Sequence, residues 1–189
     1  MITDRYKIRE QNETLVLSTI IHNTSISRAH ISQLTGLNKA STSAIVKDLI
    51  DESLVIEIGT GDSSSVGGRR PIQLSLNKEA GFSLSIDLGY DYISSMLTNL
   101  NGEIIAESKE KNFYVRKENV IDKIKQIILS YEIYYSSCKF RLIGVTLAIH
   151  GIVDQENIVF TPYYDLDQLD LALELQKVLD MPIYVENEA

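Results

Sequence analysis

The sequence has 189 residues, 44% of them hydrophobic, which is enough for one large or two small domains and excludes a disordered chain. The single cysteine excludes an intramolecular disulfide, and three scattered histidines give no metal-ligand spacing. No stretch approaches the roughly 20 apolar residues needed to cross a bilayer, and the N-terminus lacks the apolar core of a secretory signal, so we expect a cytoplasmic protein.

The formal net charge of −8 is unevenly distributed along the chain. Residues 1–76 hold eight Lys/Arg and eight Asp/Glu, whereas residues 77–189 hold the remaining ten basic and eighteen acidic residues. The first part is therefore neutral, and a neutral domain can still bind nucleic acid if its basic groups lie on one face.

Helical periodicity dominates the first part of the chain. Apolar residues predict a first helix, whose apolar face consists of Ile8, Leu15, Val16, Leu17, Ile20 and Ile21. A second helix is expected to begin after a Ser27 cap and to run through Leu34, and a third to begin after an Asn38 cap and to run through Ile50. Gly36 lies in the turn between them.

Two short strands, 55–58 and 72–76, flank a loop rich in glycine and serine over 59–71. Three helices followed by a long hairpin predict a winged helix-turn-helix DNA-binding domain over residues 1–76. In this arrangement the third helix enters the major groove.

The exposed side of the third helix is expected to carry short side chains, Ala44 among them, that let the backbone approach base edges. It also carries basic side chains, which suit phosphates. The predicted DNA-contacting residues of this helix are Lys39, Ser41, Thr42, Ser43 and Lys47. Arg69 and Arg70 follow two glycines at the tip of the hairpin and suit a narrow minor groove. The alternatives are a three-helix core with a solvated serine-rich face, and a loop with two ordinary surface arginines.

After Gly81 the pattern becomes mixed. We expect a strand over 82–86, a hairpin around Asn101-Gly102, a helix over 117–135 and a nearly continuous apolar strand over 142–149. A helix over 167–180 and a strand over 183–185 follow. This order predicts an α/β half-domain over residues 80–189 with a mostly parallel sheet.

The segments SRAHISQLTGLNKASTSAIV and GGRRPIQLSLN, followed by AGFSLSIDLGYDYISSMLTNLNGEII, IGVTLAIHGIVD and YVENEA, resemble the ROK family of repressors and sugar kinases. Within that family the chain is most similar to the xylose-repressor-like regulators. The resemblance implies an α/β fold: a winged helix-turn-helix followed by the first lobe of an actin-like, ribonuclease H-like ATPase domain. Many family members have arginine where this chain has Ala44.

Family kinases bind phosphate at an Asp-x-Gly-Gly-Thr motif, which corresponds here to Asp87–Asp91. Tyr90 adds bulk in place of a glycine, and Asp91 puts a carboxylate beside an anion, so both changes oppose phosphate binding.

The family's catalytic aspartate is replaced by Glu188, and a displaced carboxylate disfavours proton transfer. Asn187 and Glu188 can still bind sugar hydroxyls, or they are simply a polar strand end. His150 stands in the family's Pro-Gly loop and is expected to be an ordinary loop residue. Tyr163 stands where relatives use an asparagine for sugar.

The resemblance implies a homodimeric, sugar-responsive repressor that is not an enzyme, with double-stranded operator DNA and a sugar effector, xylose by resemblance, as partners. No metal, no cofactor and no membrane are expected. Family members continue into a second lobe, so we expect Ala189 to end a fragment or a natural truncation. The alternatives are a ROK sugar kinase, or an interaction fragment that senses nothing.

Overall fold

The computed structural model describes residues 2–60, 70–154, 157–166 and 169–188. The chain divides after Asn77 into two units, unit 1 and unit 2. Within the described residues, no helix is long and apolar enough to cross a membrane.

Unit 1 contains three helices, two of which begin at a side-chain cap. They are α1 (Ile2–Ile21), α2 (Arg28–Thr35) and α3 (Lys39–Asp51). Ser27 Oγ accepts from the backbone N–H of His30 at 3.3 Å, and Asn38 Oδ1 accepts from that of Ser41 at 2.8 Å. Gly36 ends α2 with φ of 71°, a conformation that glycine adopts without strain. Both predicted caps are confirmed.

A three-stranded antiparallel sheet completes unit 1. Its strands are β1 (Ile26–Ser27), β2 (Val55–Thr60) and β3 (Ile72–Leu76), in the order β1-β3-β2. The two strands predicted from the sequence are confirmed as β2 and β3, and β1 was not predicted. Residues 61–69, between β2 and β3, lie outside the described residues.

The core of unit 1 is narrower along α1 than the sequence predicts. Val16 and Ile20, four positions apart, are fully buried, whereas Ile8, Leu15 and Ile21 are each about half exposed. Leu15 and Ile21 adjoin a buried residue and are therefore rotated about 100° away from the buried stripe. Leu34, near the end of α2, is likewise exposed.

Unit 2 is built on a five-stranded mixed sheet. Its strands are β4 (Phe82–Leu88), β5 (Tyr92–Asn99), β6 (Ile104–Lys111), β7 (Leu142–Ile149) and β10 (Ile183–Asn187), in the order β10-β7-β4-β5-β6. β10, β7 and β4 run parallel, while β4, β5 and β6 are antiparallel. The expectation of a mostly parallel sheet is therefore met by only two of the four strand pairs, because the short turns at 89–91 and around Gly102 make β5 antiparallel to both of its neighbours.

The helices of unit 2 are shorter than predicted. The segment expected as one helix forms α4 (Val120–Ser130) and a single turn, α5 (Glu132–Tyr135), and the next helix is only α6 (Leu171–Gln176). Residues 167 and 168, where that helix was expected to begin, lie outside the described residues. A small hairpin, β8 (Ile152–Asp154) and β9 (Asn157–Phe160), follows β7.

The core of unit 2 lies on one face of the sheet. Every fourth residue of α4 from Val120 to Ile128 is buried, and these residues share one cluster with Leu84 and Leu147 of the sheet. Along β7 the burial alternates from Val145 to Ile149: Val145, Leu147 and Ile149 are fully buried, whereas Thr146 and Ala148 are only partly buried. Alternating side chains of a strand point to opposite faces, and only one face of this sheet is packed within unit 2.

Candidate functional site

The outer side of α3 presents short and basic side chains to solvent. Lys39, Ser43, Ala44 and Lys47 are exposed, and Ser41 is half-buried. We call these five residues the α3 surface. Ser43 and Ala44 lie four and three positions before Lys47, so both are neighbours of Lys47 on one helical face. Within the described parts of the chain, Lys39 and Lys47 form no ion pair, so their charges are available to an anion.

Thr42, which the sequence predicts as a DNA contact, lies in the core instead. Its side chain is 0% exposed, and its hydroxyl donates to the carbonyl of Asn38 at 3.1 Å. Thr42 precedes the buried residues Ile45 and Val46 by three and four positions, which places it on their side of the helix. Because a fully buried hydroxyl cannot reach a base edge, the assignment of Thr42 was wrong.

The hairpin of unit 1 carries the second predicted contact region. Arg70, directly before β3, is exposed, and Arg69 lies outside the described residues. All described residues of β2 after Val55 are exposed. Arg28 at the start of α2 forms an ion pair with Glu57 of β2, with Nη2 and Oε1 2.9 Å apart.

A cluster of polar side chains lies at the carboxyl edge of the sheet in unit 2. The register aligns Leu88, Ile149 and Asn187 across β4, β7 and β10, so these three parallel strands end side by side. Side chains near the ends of parallel strands meet at that edge. We call Asp87, Tyr92, Ser94 and His150 the sheet-edge cluster.

Asp87 is the hub of the sheet-edge cluster. Its Oδ2 accepts from the Tyr92 hydroxyl at 2.8 Å and from Ser94 Oγ at 3.4 Å, and its Oδ1 lies 2.9 Å from His150 Nε2. The Tyr164 hydroxyl donates to the carbonyl of Leu88 and accepts from the backbone N–H of His150. Both the backbone and the ring of His150 are therefore fixed.

The hydrogen bond to Asp87 and partial burial raise the pKa of Tyr92 to about 12. The charges of Asp87, Glu188 and Asp91 act in the same direction. Burial likewise raises the pKa of Tyr164 to about 12. These two phenols stay neutral at pH values where an ordinary tyrosine ionises, so they remain hydrogen-bond donors.

Three exposed tyrosines border the sheet-edge cluster. The ring of Tyr90 makes edge contacts with Tyr114 and Tyr163, at centroid distances of 6.4 and 5.4 Å. Tyr163 also approaches the ring of His150, at 6.3 Å. Aromatic rings beside a few oriented polar groups are the ordinary lining of small-molecule sites.

The predicted sugar-binding residues lie at the same carboxyl edge. Asn187 ends β10, and its Oδ1 accepts from the backbone N–H of Val153 at 2.8 Å. The backbone N–H of Glu188 donates to the carbonyl of Ile149, and its side chain is exposed. One side of the Asn187 amide therefore supports the small hairpin.

The sequence interpretation missed the central part played by Asp87, Tyr92 and His150. Asp87 and His150 fall at the ends of strands that the sequence places in one sheet, and that position was the available signal. The partner of His150 is 63 residues away in the chain, so only the strand register brings the two together. In the described residues, no group of three or more His, Cys, Asp or Glu is placed to hold a metal ion.

We expect unit 2 to lose stability between about pH 10 and pH 12. A phenol whose pKa is raised on folding contributes stability below its unfolded pKa, near 10, and loses it as the pH rises through its folded pKa, near 12. Tyr92→Phe removes this contribution and should make the decline in melting temperature shallower. Exposed Tyr134→Phe is the control, and an equal change in both variants would contradict the assignment of Tyr92.

Comparisons with known proteins cover both units. The sequence model of the ROK family matches residues 83–189. The xylose repressor of Bacillus spizizenii is 39% identical over the whole chain, and the match covers 49% of that repressor. The xylose repressor of Staphylococcus xylosus is 36% identical over 96% of the chain, and the match covers 47% of that repressor. The chain thus spans about half the length of these curated relatives. A crystal structure of a ROK family transcriptional regulator, a homologue of the E. coli Mlc protein, superposes over 95% of the chain and 46% of its own, with a TM-score of 0.69 and 26% identity.

Proposed function

The chain belongs to the ROK family, and we propose that it acts as a sugar-responsive transcriptional repressor whose unit 1 binds operator DNA. Its relatives named as xylose repressors are similar over both units, including the residues that precede the family match. The ROK-type, actin-like fold of unit 2 supplies the frame for a sensor, and the relatives' names favour repression over catalysis.

The α3 surface carries the proposal of DNA binding. Its centre consists of Ser43 and Ala44, two short exposed side chains, with Lys39 and Lys47 on either side. Short residues let a helix backbone approach base edges in the major groove, and flanking lysines suit phosphates. We propose residues 1–76 as a winged helix-turn-helix domain, with Arg69 and Arg70 in an adjacent minor groove.

The carboxyl edge of the sheet supports a sugar site in unit 2, over residues 80–189. Asn187, Glu188 and the sheet-edge cluster supply amide, carboxylate and hydroxyl groups that hydrogen-bond to sugar hydroxyls. The bordering tyrosines add an apolar surface. Xylose is the proposed effector because the relatives are named for it.

The regulatory step needs two copies of the chain. A homodimer would place two α3 surfaces about 34 Å apart, which is one helical turn of DNA, on a palindromic operator. A sugar that binds better to the dimer geometry that fits the operator poorly shifts the population toward that geometry and so lowers operator affinity.

A salt-dependent titration tests the proposed function. The full chain is titrated with a duplex from the region upstream of its own gene and with a scrambled duplex of equal length. We expect tighter binding to the upstream duplex at every salt concentration, because contacts to its bases add to the phosphate contacts that both duplexes offer. Equal binding to both duplexes would contradict operator recognition by this chain.

A further inference from the structure

Two arginines from different elements line one shallow depression of unit 1. The depression has a volume of about 360 Å³. Its lining residues are Ser27, Arg28, Ala29, Arg70, Pro71 and Ile72. Guanidinium groups stay charged at all physiological pH values, so this depression attracts anions.

Glu57 holds Arg28 in place. The register puts Ile26, Leu74 and Glu57 in one row across β1, β3 and β2, and Arg28 follows β1 directly. Its side chain, 30% exposed, crosses β3 to reach Glu57 on β2, with Nη2 and Oε1 2.9 Å apart. This contact uses one of the five N–H donors of the guanidinium, and the others remain for a second anion.

We propose that Arg28 binds a phosphate of the DNA backbone, beside Arg70 and held in position by Glu57. This inference rests on the proposed function and adds a contact outside the α3 surface and the hairpin tip. Arginine suits a phosphate because its planar donors match two phosphate oxygens at once. The start of α2 and the start of β3 then contact the same strand of the backbone, which fixes the orientation of α3 without reading any base.

The charges at and beside the depression predict opposite effects for substitutions of Arg28 and Glu57. Among the described residues, two arginines line the depression and no acidic residue does, so a phosphate finds a positive surface, but the carboxylate of Glu57, which is paired with Arg28, competes for that arginine. Glu57→Gln keeps an oxygen that accepts from Arg28 and removes the competing charge. We expect Glu57→Gln to strengthen binding and Arg28→Gln to weaken it, on duplexes of any sequence.

The test uses the full chain and a random-sequence duplex, with affinity measured over a range of potassium chloride concentrations. Arg28→Gln should lower the affinity roughly tenfold near 0.1 M salt and reduce the slope of log affinity against log salt by about one. Arg28→Lys should restore the slope, and Arg141→Gln, which breaks a comparable ion pair in unit 2, should change neither quantity.

Circular dichroism of each variant establishes that unit 1 is folded. An Arg28→Gln slope equal to that of the unchanged chain would overturn the inference, as would an equal loss in Arg141→Gln. A preference of the unchanged chain for its upstream duplex, measured alongside, would leave the proposed function standing in that case. A chain that binds no duplex at any salt concentration would overturn both.

Discussion

Ala44→Glu should reduce operator affinity by at least about 100-fold, because it places bulk and negative charge at the centre of the α3 surface. Ala44 is exposed in the middle of α3, and glutamate is a good helix former, so the helix itself should remain intact. The loss therefore reports the interface rather than folding. Fluorescence anisotropy with the upstream duplex measures it, and circular dichroism confirms that the variant is folded.

The opposite charge at the same position gives the complementary result. Ala44→Arg should tighten binding to all duplexes and steepen the salt dependence by about one phosphate contact. Gln126→Glu on the exposed side of α4 adds the same charge as Ala44→Glu in unit 2 and should leave affinity unchanged. If Ala44→Glu binds as tightly as Gln126→Glu, the α3 surface is not the DNA-reading face.

Local features of the fold could be predicted from the sequence because they depend on neighbouring residues. The caps at Ser27 and Asn38 each need one side chain within three positions of a free backbone N–H, and both are present in the structure. The placement of Thr42 could not be predicted in this way. It differs from Ser41 and Ser43 by one helical step, about 100°, and only tertiary packing decides which of these hydroxyls is buried.

The candidate site in unit 2 depended on contacts that no short segment contains. Strand β4 brings Asp87 and β7 brings His150, and the parallel register of these strands makes the pair. The sequence predicted Asn187 and Glu188 at a strand end through family resemblance, but it gave no sign that Asn187 also supports Val153. Interactions between distant strands are fixed by sheet topology, and the sequence interpretation predicted that topology only in part.

Leu147→Ala should destabilise unit 2 by about 2–5 kcal/mol, because it removes a fully buried side chain from the middle of the sheet. Leu147 is 0% exposed, and it belongs to the same core cluster as Leu84 on β4 and Ile124 on α4. A cavity at this position cannot close easily, since β7 is paired with β4 on one side and with β10 on the other. Urea denaturation followed by circular dichroism measures the loss.

Ile143→Ala on the same strand is the matched control for burial. Ile143 lies four positions before Leu147 but is 46% exposed, because the pairing with β4 skips it: Phe82 aligns with Leu142, and Ser83 aligns with Gly144. We expect Ile143→Ala to cost less than about 1 kcal/mol. Equal losses in the two variants would mean that Ile143 is covered in solution.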